Sequence, residues 1–145
     1  MQIINPTIAP SPINHRLLFK EDFISIYHNV PDAWIYADWT GFQTTQTIKA
    51  GAELLLKAFE ETQVYKLIND NTHLTGMRAN TIEWIAMDLA PRLQKAGLQY
   101  VGWIYKTNSF AEASIDNVLG LSQTEIIVIV FDNVNMAEKW LRSVR

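Results

Sequence analysis

A chain of 145 residues with an apolar share of 48% suits one domain with a real core, since a domain of this size buries roughly 70% of its unfolded surface. A formal charge of −3 and scattered Lys and Arg give no basic face for phosphate backbones, which argues against nucleic acid as a partner. The chain has no cysteine, which removes disulfides, thiolate catalysis and cysteine-based zinc sites and fits a cytoplasmic protein.

The longest strictly apolar run is the six residues "IIVIVF" from Ile126, far short of the roughly 20 needed to span a bilayer. The N-terminus lacks the basic start and apolar core of a signal peptide, so a soluble chain without a transmembrane segment is expected. The first 14 residues hold three of the five prolines. Proline lacks the amide donor and biases its predecessor toward extended geometry, so residues 1–16 are expected as an N-terminal arm and 17–145 as the domain.

Leu17 to Phe19, Phe23 to His28 and Trp34 to Thr40 then read as short strands separated by the turns Lys20 to Asp22 and Asn29 to Asp32, an antiparallel start. From Gly41 the rhythm changes to helix and strand in alternation. Thr44 or Thr45 can cap a helix whose Ile48, Ala52, Leu55 and Phe59 form one apolar stripe. "VYKLIN" from Val64 follows as a strand. Asn80 and Glu83 have the spacing of a capping box ahead of Ile82, Ile85, Leu89 and Leu93; Pro91 predicts a kink or restart near Ala90, and Gly97 a stop.

"LQYVGWIY", Leu98 to Tyr105, is the next strand. Ser109 with Glu112 signals a short helix ending near Gly120. "EIIVIVF" from Glu125 is almost unbroken β-branched residues, the pattern of a central strand covered on both faces. Asn135 with Glu138 signals a last helix presenting Ala137, Trp140, Leu141 and Val144. The predicted class is α/β, a single-domain mixed β-sheet, antiparallel at the start and parallel later, with about four helices.

Ligands in open α/β sheets bind beyond the carboxyl ends of the strands, where Asp38, Asp70 and Asp132 are predicted. Asp and Asn at such positions also serve simply as turn formers. The histidines, His15, His28 and His73, have no metal-site spacing, and no metal or cofactor is expected. The stretch "KLINDNTHLTGMRAN" from Lys66 reads as a strand followed by about ten connecting residues, longer than the two to six usual for such a connection. That length on the ligand side of a sheet marks Asp70, Asn71, His73 and Thr75 as a candidate recognition loop. Trp39, Phe42, Trp84, Trp103 and Phe110 fall near strand-to-helix edges, where a pocket between helices and sheet can open. Trp84 and Trp103 join the loop as candidate binding residues. No nucleophile elbow, P-loop or dinucleotide glycine pattern occurs.

"WIYADWTGFQTT", "YKLINDNTHLTG", "IEWIAMDLAPRLQKAGLQYVGWIY" and "FDNVNMAEKWL" together resemble the SpoIIAA-like branch of the STAS superfamily, the sulfate transporter and anti-sigma factor antagonist proteins. The resemblance covers about residues 17 to 144. It implies a mixed sheet with helices mainly on one face, similar also to the CRAL-TRIO type of lipid-binding domain. In the antagonists a strand ends in Asp and an Asp-Ser-Ser-Gly motif opens the next helix with a phosphorylatable serine. Asp70 matches the strand end, and Asn80, Thr81, Ile82 and Glu83 the helix start. Only Thr81 supplies a hydroxyl there, and Glu83 adds a charge that repels phosphate.

The function expected from sequence is a non-enzymatic regulatory or binding module that recognises a protein partner or a small apolar ligand through loops at the strand ends. Two alternatives stand beside it. One is a phospho-regulated switch at Thr72, Thr75 or Thr81, near a helix N-terminus that favours an anion. The other is an enzyme using Asp70 and His73 as a proton-transfer pair. Aromatic surface is compatible with a homodimer.

Overall fold

Strands β1 (His15–Glu21), β2 (Ile24–Asn29) and β3 (Trp34–Gln43) pair antiparallel, Tyr27 of β2 opposite Tyr36 of β3. The structure, a computed structural model, describes residues 15–77, 81–105 and 124–144. The β2–β3 turn is set by Asn29, whose Oδ1 accepts from Asp32 N at 3.1 Å while its carbonyl accepts from Ala33 N at 2.9 Å.

Thr44 caps α1 (Thr45–Thr62): its hydroxyl accepts from Thr47 N, and the Thr47 hydroxyl accepts from Thr44 N. Two orphan amides at the helix start are thereby satisfied reciprocally. The expected stripe Ile48, Ala52, Leu55 and Phe59 is buried, each fully buried large side chain contributing roughly 1.5–3 kcal/mol. After β4 (Lys66–Met77) a continuous helical stretch runs as α2 (Thr81–Trp84), a π-helical turn (Ile85–Leu89) and α3 (Ala90–Lys95). The π turn is the predicted break. Pro91 has no N–H for a regular ladder, and the chain restarts at Ala90, whose own amide bonds back to Ile85 O. Gly97, at φ +114°, ends the segment. Strands β5 (Tyr100–Ile104) and β6 (Ile127–Phe131) and helix α4 (Val134–Ser143) complete the described chain.

The sheet order is β1-β2-β3-β4-β5-β6, with β3 to β6 parallel. Two cores lie on its two faces. Leu67, Trp39 and Val101 pack with Ile48, Leu55, Leu89 and Leu93 beneath α1 and the π-interrupted segment. Trp34, Tyr36, Ile68 and Ile104 pack with Ala137 and Leu141 of α4. Period-2 alternation along β4 therefore sends Leu67 to one core and Ile68 to the other.

Five expectations change. Three helical segments occur among the described residues rather than about four; the helix expected from Ser109 to Gly120 lies outside them, as do Asn80 and the side chains of Ile82 and Glu83. These segments divide between faces, two on one and α4 on the other. The "IIVIVF" strand is the sixth and last in order, pairs only with β5 among the described strands, and leaves Ile127 and Ile129 exposed on one face; it is neither central nor covered on both faces among the described residues. The final helix is capped by Asn133, whose Oδ1 accepts from Met136 N at 2.9 Å, not by Asn135.

The largest change concerns the stretch expected to be a loop. β4 does not stop at Asn69 or Asp70 but continues to Met77, because the second half of β3 offers it a parallel partner: Thr40 aligns with His73, Gly41 with Leu74 and Gln43 with Met77. The excess length is strand, and only residues 78–80 separate β4 from α2.

Candidate functional site

Asn69 and Asn71 share a face of β4 with Leu67, and Trp103 pairs with Asn69 across the β4–β5 ladder. Together with Trp39 they form the polar end of a cavity of about 290 Å³ between the sheet, α1 and the π-interrupted segment. The rest of its wall is mainly apolar, chiefly Leu55, Leu67, Ile85, Leu89, Leu93 and Val101, with Thr124 as a further polar member. A volume near the lower end of the roughly 300–1,000 Å³ typical of ligand pockets, lined by apolar side chains with a few polar groups, suits a small organic molecule.

The polar end is connected but incomplete. Trp39 Nε1 donates to Asn69 Oδ1 at 2.8 Å, and Asn69 Nδ2 donates to Asn71 Oδ1 at 3.3 Å. Asn71 is only 4% exposed, yet among the described residues its Nδ2 has no acceptor, and neither does Trp103 Nε1, both atoms being buried. A buried donor without a partner costs about 1–3 kcal/mol, so two of them at one cavity mark a place where folding alone leaves hydrogen bonding unfinished.

The other face carries a carboxylate cluster. Asp38 and Asp70 are register partners on β3 and β4. Asp70, 2% exposed, accepts from the Tyr36 hydroxyl at one oxygen and, at the other, from Thr72 N at 3.0 Å and Thr72 Oγ1 at 2.7 Å. This side-chain-to-backbone bond two residues on accompanies an irregularity in the ladder: between the Asp38–Asp70 and Thr40–His73 pairs, β4 advances three residues and β3 two. The extra residue is a bulge, and it re-aims His73. His73 Nδ1 consequently lies 3.0 Å from Asp38 Oδ1. Burial raises the Asp38 pKa above the ordinary carboxylate value, the contact with His73 opposes the rise and Asp70 adds to it. The phenol of Tyr36 is raised far above its usual range, first by burial and then by Asp70, so it remains a neutral donor. Among the described residues no group of three or more acidic or histidine side chains could hold a metal ion.

The six binding residues picked from sequence do not form one site. Asn71 and Trp103 line the cavity. His73 and Thr75 border a shallow depression with Asp38, Thr40 and Thr72. Asp70 is enclosed by its own donors, and His73 meets Asp38 rather than Asp70. Trp84 packs at the edge of the first core with Lys49 Nζ 5.5 Å from its ring centre. Thr81 is 1% exposed, its hydroxyl buried and unpartnered among the described residues. Asp132 accepts from the Asn133 amide at 2.9 Å, at an exposed position. Asn69 was not among the candidates; its place two residues before Asn71, hence on the same face of an extended strand, was the available signal.

No family model matches the sequence. No curated protein matches it. Among solved structures, the chain resembles an uncharacterised protein of the DUF3478 family from Shewanella loihica PV-4, whose fold is SpoIIAA-like, with a TM-score of 0.56, 18% identity, and coverage of 92% of this chain and 99% of that one. The fold is SpoIIAA-like. The anti-sigma factor antagonist SpoIIAA in its unphosphorylated form also matches, with a TM-score of 0.54, 10% identity, and coverage of 90% of this chain and 99% of that one. This fold agrees with the resemblance carried by the sequence segments. No helix among the described residues is long and apolar enough to cross a membrane.

Proposed function

We propose that this SpoIIAA-like domain is a non-enzymatic binding module that holds a small, mainly apolar molecule in the cavity between its sheet, α1 and the π-interrupted segment. The observation that carries the reading is the cavity itself: about 290 Å³ of largely aliphatic wall ending in buried N–H groups without acceptors. A well-packed interior of this kind of protein has few voids larger than a water molecule. A cavity many times that size, between one face of the sheet and the helices that cover it, is better explained by an occupant.

A regulatory role through a protein partner belongs to the same proposal and is supported by likeness to an anti-sigma factor antagonist. A phosphoryl switch at Thr81 receives less support, because a kinase needs the hydroxyl exposed and that of Thr81 is enclosed.

The test is native mass spectrometry of the gently purified chain, followed by calorimetric titration of the ligand-stripped protein with medium-chain alkanes, ketones and fatty acids. Retained small molecules, or saturable one-to-one binding that raises the melting temperature, are expected. A chain that carries nothing and is stabilised by none of these probes would overturn the reading.

A further inference from the structure

The polar end of the cavity has a fixed chemical sense. An indole N–H only donates, so the bond from Trp39 holds Oδ1 of Asn69 against the ring and turns Nδ2 of Asn69 toward Asn71. Asn71 then receives with Oδ1 and is left with Nδ2, a donor, at the end of the chain. The second unpartnered group, Trp103 Nε1, is also a donor. Trp103 stands beside Asn69 on the neighbouring strand, and both Asn71 and Trp103 line the cavity. What the site lacks is therefore an acceptor, not a donor.

The same wall carries no Lys, Arg, His, Asp or Glu among its described residues. An ionised carboxylate or phosphate entering it would lose hydration with no opposite charge to compensate, the most expensive transfer a polar group can make. A hydrocarbon would fill the volume and leave both donors unsatisfied. A carbonyl oxygen has two lone pairs and no charge, and one such atom can accept from two convergent N–H groups.

We propose that the cavity selects uncharged molecules with an apolar body and a carbonyl-type acceptor, such as a ketone, ester or amide, received by Asn71 Nδ2 and Trp103 Nε1. This inference rests on the ligand-binding reading above and specifies its chemistry. The aliphatic wall takes the body of the ligand, and the Trp39–Asn69–Asn71 chain holds the amide orientation ready before the ligand arrives, so little ordering is left for binding to accomplish.

Three ten-carbon probes, decane, 2-decanone and decanoate at pH 8, separate the possibilities by isothermal calorimetry on the full chain. The ketone is expected to bind about tenfold more tightly than either of the others, since a site whose donors go unpaired penalises a ligand lacking the acceptor. In Asn71→Leu the advantage of ketone over decane should fall toward unity. That substitution also deprives Asn69 of its acceptor, so Trp103→Phe serves as the second variant and should reduce the same ratio. Equal affinities for decane and 2-decanone, tightest binding of decanoate, or an unchanged ratio in folded variants overturns the acceptor proposal while leaving ligand binding intact. Failure of all three probes to bind overturns both.

Discussion

Asp38 and Asp70 stand side by side on adjacent parallel strands, and only one of them is fully provided with donors. Asp70 has Tyr36 and both groups of Thr72; the partner found for Asp38 is His73, at 3.0 Å, with the His73 side chain half exposed. Burial keeps the Asp38 pKa raised in spite of that contact. A carboxyl with a raised native pKa holds its proton more tightly when folded than when unfolded. Its ionised form thus costs stability near neutrality, and the cost disappears as pH falls through the native pKa. Asp38→Asn should therefore melt higher than the parent at pH 8, with the difference shrinking on acidification toward pH 4. Melting temperatures across that range check it; a difference that widens toward acid would contradict the sign.

Tyr36→Phe tests the other carboxylate. The hydroxyl is the donor at Oδ2 of Asp70, and both residues are almost wholly buried. Removing it leaves a buried carboxyl oxygen short of its donor, a loss of roughly 1–3 kcal/mol. Urea denaturation should show this as a lower midpoint with an unchanged slope, since the surface exposed on unfolding is the same.

Gly51→Ala links α1 to the cavity. A methyl group at Gly51 would come within 2.4 Å of Trp39 Cη2, so the indole must shift or the helix must move. Overpacking costs about 1–3 kcal/mol, against a helix-propensity gain of about 0.5–1 kcal/mol. A net destabilisation of about 1–2 kcal/mol is expected from these opposing terms. Because Trp39 begins the chain of amides, the variant should also change ligand affinity, readable in the same calorimetric titrations. Full parental stability would mean that the indole has room to yield.

These relationships divide by how local their causes are. The Thr44 cap, the stripe from Ile48 to Phe59, the break before Pro91 and the stop at Gly97 are dictated by neighbours within a few residues, and they were legible from sequence. The stretch from Asp70 to Met77 was not, since Asn, Asp, Thr and Gly favour turns locally while the pairing that makes it strand comes from β3, some thirty residues earlier. The bulge that carries His73 to Asp38 likewise needs both strands. Reading Asn71 as a loop residue and Trp103 as an aromatic near a strand-to-helix edge found part of the cavity's lining. Asn69, which fixes the sense of the hydrogen bonds there, looked like the end of a strand rather than a member of its inner face.

Lys66 offers a last prediction, on the face opposite the cavity. Its side chain is 8% exposed, and Nζ donates to Leu141 O at 2.5 Å and Val144 O at 2.9 Å. It thus satisfies carbonyls at the end of α4, where a helix has no amides of its own to offer and where its dipole favours a cation. Burial lowers the Lys66 pKa below the usual value for an ammonium group. A lowered pKa means that the unfolded chain binds the proton more tightly, so the contribution of Lys66 to stability increases as pH rises from the native toward the unfolded pKa. Lys66→Met keeps the stem and removes the donor. The expected result is a loss of about 2 kcal/mol, set by hydrogen bonds from a charged group at roughly 1.5–3 kcal/mol and partly offset by relief of the buried charge. Amide exchange should quicken in the last turn of α4 while α1 stays protected. Equal acceleration in both helices would place the effect in global stability and not in the cap.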